Sequence, residues 1–218
     1  MKVLMCQVSP SIGDSKSNLQ LIQQNVEHGI MSNADVVLLP EMVTTGYPPR
    51  DLLYNKEIWE DQPIIAQKVL QQIRNEKIQM TVIYGGIEQA SLANGHYARY
   101  NVAYIVDPTY GVRVVRKRVL PHYDIFLESR YFCPSADPYT PVKIRVDGED
   151  ELCDVLICED IWNADYRGTT WESPCSYLDD PTQYLKGTGP LFVLNASPFW
   201  HGKVEATESL LRSIVYRI

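Results

Sequence analysis

Apolar residues along this chain fall into two rhythms. Short runs rich in Val, Ile, Leu and Tyr cover residues 3–8, 36–39, 80–84, 100–106, 112–115, 152–158 and 191–194, and each predicts a strand. Between the first two runs, Leu19, Ile22, Val26 and Ile30 recur every three or four positions, and after Trp59 the residues Ile64, Ala66, Val69, Leu70 and Ile73 do the same. That spacing places each set on one face of a helix, so two core-facing helices are expected. A further helical stretch is expected over residues 203–217.

The resulting order is strand, helix, strand, helix, strand, then a meander over residues 101–118 with turn signals at Asp107-Pro108 and Gly111. Strands alternating with helices in this way describe an α/β layered domain. Without repeats, low-complexity tracts or a linker, residues 1–218 read as one domain. Periodicity is lost over residues 163–190, where Gly168, Pro174, Asp180, Pro181 and Gly189 predict a long surface loop.

Composition narrows the function more than the fold. A net charge of -7 provides no basic field to gather nucleic acid or an anionic membrane, so a small neutral or zwitterionic substrate fits better. Cys6, Cys133, Cys153, Cys158 and Cys175 are odd in number and contain no C-x-x-C pair. They argue against a disulfide framework or a zinc ribbon and favour a reducing, cytoplasmic setting. Residues 1–8 are too short and too soon polar for a signal peptide, and no run approaches the ~18 apolar residues of a membrane span.

Three residues carry candidate chemistry. Cys158 closes an apolar run and is followed at once by Glu159-Asp160-Ile161-Trp162. A thiol at such a strand-to-turn junction can be activated as a nucleophile, although free cysteine is also among the most buried residue types and serves as a small hydrophobe. Glu41 likewise leaves the run ending Leu38-Leu39-Pro40, at a strand end where α/β sheets gather ligands. Its plainer reading is a solvated loop carboxylate. Lys117 lies within the basic run 113–118, which an exposed edge strand with protective charges would also explain. No G-x-S-x-G elbow, phosphate-binding G-x-x-x-x-G-K-[ST] loop or H-E-x-x-H pair is present, and His28, His96, His122 and His201 are scattered singly, without metal-ligand spacing.

Around these residues the chain resembles the nitrilase, or carbon-nitrogen hydrolase, superfamily, and within it the glutaminase domain of glutamine-dependent NAD synthetases. Four ordered blocks carry the resemblance: Leu39-Pro40-Glu41 running into Thr45-Gly46-Tyr47-Pro48-Pro49 and Asp51-Leu52-Leu53; Lys117-Arg118-Val119-Leu120-Pro121-His122-Tyr123 with Phe126, Glu128 and Arg130-Tyr131-Phe132; Ile157-Cys158-Glu159-Asp160-Ile161-Trp162; and Asn195-Ala196-Ser197-Pro198-Phe199 with Gly202-Lys203. The resemblance implies a nitrilase-type α-β-β-α sandwich, Glu41 as proton acceptor, Lys117 as triad lysine, Cys158 as nucleophile and Glu128 as a second, supporting carboxylate. It implies a glutamine pocket lined by Tyr47, Tyr123, Trp162, Ser197 and Lys203. The implied reaction is hydrolysis of glutamine to glutamate and ammonia through a thioester, with no metal or organic cofactor in this chain.

The chain also departs from that family. Residues 163–190 are longer than the usual spacing between the Cys and Ser blocks, and Thr207 stands near a position that often carries arginine. The chain ends at Ile218, where the family continues with further strands, so the sandwich is expected to be truncated at its C-terminus. The S-G-G-x-D-S segment of the ATP-binding half is absent, and ATP and Mg are expected only with a separately supplied synthetase domain. The expected partners are therefore glutamine and either further copies of the chain or an ammonia-using synthetase. Two other readings stay open at this stage: a free-standing amidase acting on another small amide, and a catalytically inactive nitrilase-like module that serves assembly or regulation.

Overall fold

The computed structural model describes residues 1–92, 94–123, 126–162 and 180–217. A five-stranded sheet, ordered β1-β2-β3-β4-β5, is built from β1 (Val3–Met5), β2 (Val36–Leu38), β3 (Thr81–Ser91), β4 (Tyr97–Asp107) and β5 (Gly111–Arg116). β1, β2 and β3 run parallel, and β4 and β5 add to them as an antiparallel meander. A three-stranded sheet pairs β6 (Val142–Val146) antiparallel to β7 (Glu149–Ile157) and β7 parallel to β8 (Leu191–Leu194).

The two sheets face each other. Val36, Ile83, Ala103 and Ile105 of the first sheet pack against Ile144, Val155, Ile157 and Phe192 of the second. Alternate residues of the same strands, Val37, Val82, Tyr84 and Val106, point the other way and meet α1 (Ser15–Met31) and α3 (Gln62–Asn75) through Ile22, Val26, Val69 and Ile73. Both faces of these strands are thus buried, which is why their sequences read as continuous apolar runs. The outer face of the second sheet carries α4 (Glu159–Trp162) and α5 (Lys203–Val215), with Leu156, Ile161, Leu210 and Ile214 between them. The layers are α-β-β-α, as the resemblance implies. α1 starts where the Asp14 side chain accepts from the Ser17 N–H, and the short α2 (Lys56–Glu60) leads into α3, which has Pro63 in its first turn.

The structure differs from the sequence reading at several points. Ile64 is 52% exposed, so the buried stripe of α3 is Ile65, Ala66, Val69, Leu70 and Ile73. β1 ends at Met5 rather than residue 8, and β3 and β4 extend well past their apolar runs because they pair with each other in one long hairpin. β6 was not expected, yet Val-Lys-Ile-Arg-Val alternates buried and less buried positions as a half-covered strand should. Of the predicted loop, residues 163–179 lie outside the described residues, while Pro181–Tyr184 form a 3-10 turn started by Asp180, whose side chain accepts from the Thr182 N–H. No described helix is long and apolar enough to cross a membrane.

Candidate active site

Each reactive side chain sits just beyond the end of a strand. Glu41 follows β2 on a turn held by the Leu39 N–H to Ile83 O and the Gly85 N–H to Pro40 O. Met42 takes a left-handed φ of 49°, and a Cβ on Gly85 would lie 2.2 Å from the Met42 nitrogen, so only glycine lets β3 pass this close to the Glu41 turn. Lys117 follows β5, its N–H bonded to Asn101 O. Cys158 follows β7, its N–H bonded to Leu194 O, and it adopts φ of 47°, uncommon for a residue with a side chain. A left-handed residue at a sharp strand-to-helix turn can present its side chain away from its own strand.

These turns converge on a buried ionic cluster. The Lys117 ammonium is fully buried, 2.8 Å from Glu41 Oε1 and 2.9 Å from both Glu128 oxygens. Asn101 Nδ2 donates to Glu41 Oε1 at 2.7 Å, the Ala196 N–H donates to Glu41 Oε2 at 3.1 Å, and Tyr47 Oη donates to Glu128 Oε1 at 2.9 Å. Two carboxylates around one ammonium leave an excess negative charge in a dry place. Burial, reinforced by Glu41, therefore pushes the Glu128 carboxyl up to about 7 against the pull of Lys117. Burial alone would lower Lys117, but Glu128 and Glu41 outweigh it and hold the ammonium well above its usual range. The Cys158 thiol is raised well above its usual value by burial and by Glu41, with Lys117 opposing. A thiol held protonated in this way needs a base at the moment of attack.

Beside the cluster, Glu159 is buried with Oε2 accepting from Tyr123 Oη at 2.8 Å, while its Oε1 has no partner among the described residues. Burial raises its carboxyl. Lys203 Nζ lies 2.5 Å from Ser197 Oγ and 2.6 Å from Pro198 O; burial lowers it, and the nearby Cys158 and Glu159 charges oppose that shift. A cavity of about 1060 Å³ is bounded by Glu41, Tyr47, Ser197 and Lys203 on one side and by Val204, Leu211 and Val215 of α5 on the other.

Residues 2–167 match the sequence pattern of the family described as carbon-nitrogen hydrolase. The chain belongs to that family. Among curated relatives, the glutamine-dependent NAD(+) synthetase of Acinetobacter baylyi is 31% identical over 202 residues, covering 93% of this chain and 32% of the relative. The solved structure of the glutamine-dependent NAD+ synthetase from Acinetobacter baumannii superposes with a TM-score of 0.69 at 27% identity, over 97% of this chain and 35% of that one. An amidase from Nesterenkonia sp. has the same fold, with a TM-score of 0.71 at 18% identity, over 98% of this chain and 71% of the amidase. The chain spans about a third of the length of the synthetase relatives it matches.

Within this carbon-nitrogen hydrolase domain, the expected site residues divide into two sets. Glu41, Lys117 and Glu128 are in direct contact, and Tyr47 joins them. The alternative reading of Lys117 as an exposed edge-strand charge does not hold, because the residue lies past the strand end with its side chain turned into the protein. Ser197 and Lys203 are bonded to each other at the cavity wall. Tyr123 reaches the site through Glu159 rather than through the cavity, and Trp162 packs half-buried with Leu156, Ile161, Leu210 and Ile214 behind the second sheet, away from the cavity lining. Sequence reading missed the functional positions of Asn101 and Glu159. Their only signals are a lone amide inside an apolar strand and an acid directly after the nucleophile.

Proposed function

We propose that this domain hydrolyses the side-chain amide of glutamine to glutamate and ammonia. The observation that carries the reading is the buried Glu41–Lys117–Glu128 cluster at the turn bearing Cys158. In the first step the Cys158 sulfur forms a bond to the amide carbon as its proton passes to Glu41. The oxyanion that develops is stabilised by the Lys117 ammonium and the backbone N–H of Glu159. The C–N bond then breaks, and the departing nitrogen takes the proton from Glu41 and leaves as ammonia. Water loses a proton to Glu41 while attacking the thioester, and the C–S bond breaks to release glutamate and restore the thiol.

Two groups favour glutamine over other amides. The Glu159 Oε1, which has no partner among the described residues, suits an α-ammonium, and Lys203, which feels the Glu159 charge, suits an α-carboxylate. A zwitterion would satisfy both at once, whereas an uncharged amide leaves a buried carboxylate oxygen without a donor. The amidase alternative draws support from the apolar α5 wall and from a cavity larger than glutamine needs. The ammonia would pass to a synthetase partner, with ATP and Mg belonging to that partner. The apolar exposure of Phe199, Val204, Val215 and Tyr216 supports contact with such a partner.

Ammonia release by Cys158→Ala tests the reading. Turnover should vanish while circular dichroism stays native, because the covalent path is gone. Turnover retained in the folded variant would remove Cys158 from the mechanism.

A further inference from the structure

We infer that Asp160 is a positioning residue, setting the Lys117 ammonium against the Cys158 thiol by bonding the backbones of both segments at once. The inference rests on Cys158 and Lys117 acting as proposed above. Lys117 leaves the five-stranded sheet and Cys158 leaves the three-stranded sheet, so the spacing of these two groups depends on how the sheets are fastened together at this end. The backbone bonds already described hold each group to its own sheet: the Lys117 N–H to Asn101 O on β4, and the Cys158 N–H to Leu194 O on β8.

Asp160 crosses between them. Its Oδ1 accepts from the Arg118 N–H at 3.0 Å and the Val119 N–H at 2.9 Å, immediately after Lys117, and its Oδ2 accepts from the Ile157 N–H at 3.0 Å, immediately before Cys158. The side chain is buried, so water offers these three donors no alternative. Burial pushes the carboxyl up to about 6, with Lys117 and the three amides opposing. Three N–H groups on two oxygens call for a carboxylate: an asparagine would turn an NH₂ toward at least one N–H donor. Sequence places Asp160 two residues from the nucleophile, but the reaction itself gives it no proton to move.

The test is Asp160→Asn in the full chain, with two readouts. The first follows alkylation of Cys158 by iodoacetamide against pH, read on the Cys158 peptide by mass spectrometry so that the other cysteines do not contribute. It uses no glutamine and therefore stands even where the glutaminase reading fails. In Asp160→Asn the alkylation profile should move to higher pH, because the ammonium that favours the thiolate has shifted. The second readout is glutamine hydrolysis, where kcat should fall by about 10²-fold with KM changed less than about threefold, the pattern of a misplaced group rather than a lost binding contact. A folded variant with the wild-type alkylation profile overturns the inference. Asp160→Ser, which keeps one acceptor and leaves room for water, replaces the asparagine variant if that one is unfolded, and failure of both to fold also overturns the inference by making Asp160 a folding element.

Discussion

The two ends of β7 carry charge clusters of opposite design. Near its start, Asp150 stands between two cations, 2.5 Å from Arg145 and 3.1 Å from Lys143, and also accepts from Tyr110 Oη. Just past its end, facing the turn of Cys158 from the other sheet, Lys117 stands between two carboxylates at similar distances. The distances are alike; the surroundings are not. At Asp150 the side chains are more than a third exposed, and hydrogen bonds from Tyr110, Arg145 and Lys143 simply keep the acid below the ordinary carboxylate range. At Lys117 every partner is buried, so each charge shifts its neighbours, and one carboxyl is left titrating near neutrality. Exposure, not pairing, decides which cluster can do chemistry, since water screens the first and is excluded from the second.

Lys117→Met should break this contrast most severely. It removes the cation and leaves two carboxylates buried together, so amide hydrolysis should fall by at least about 10²-fold and stability by about 3–5 kcal/mol. Ammonia assays and urea unfolding measure the two effects, and a near-normal rate would reduce Lys117 to a structural charge.

Lys203→Met tests whether the charges at the cavity read substrate. The ratio of kcat/KM for glutamine to that for butyramide should drop by about 10²-fold, with butyramide itself little affected. Equal values for both substrates in the unmutated protein would instead favour the amidase alternative.

Glu128→Gln sharpens the contrast through pH. The folded-state carboxyl of Glu128 is raised, so its contribution to stability is complete below the unfolded carboxylate range and is lost as pH rises through about 7. The wild-type Tm should therefore decline relative to the Gln variant between about pH 4.5 and 7.5. Parallel Tm curves would show that Glu128 is not raised.

Asp150→Asn should do least. Its partners are exposed cations that water can solvate, so Tm should move by less than about 2 °C and amide hydrolysis should not change. A large loss of activity would mean that the two ends of β7 are coupled.

Much of the fold was legible because both faces of the central strands are covered. Runs such as 36–39 and 102–106 had to be apolar throughout, and α1 announced itself by the spacing of Leu19, Ile22 and Val26. β6 escaped notice because two of its five residues are charged and its neighbour in sequence is a turn, so its pairing with β7 is what makes it a strand. In the site, Glu41, Lys117 and Cys158 could be singled out by the blocks around them. Asn101 could not, since an amide in a strand has no meaning until Glu41 and Glu128 stand beside it.

By itself the sequence determined which residue types stand at strand ends, because a thiol, a carboxylate and an amine are fixed by the chain. Only the tertiary structure decided their state. Glu41, Lys117, Glu128 and Cys158 are separated by up to 117 positions, and their protonation depends on burial and on one another's charge, neither of which exists until the two sheets close. The same holds for Glu159 and Asp160. They are adjacent acids in the sequence, but folding turns one toward Tyr123, with an oxygen that has no partner among the described residues, and locks the other between two backbones.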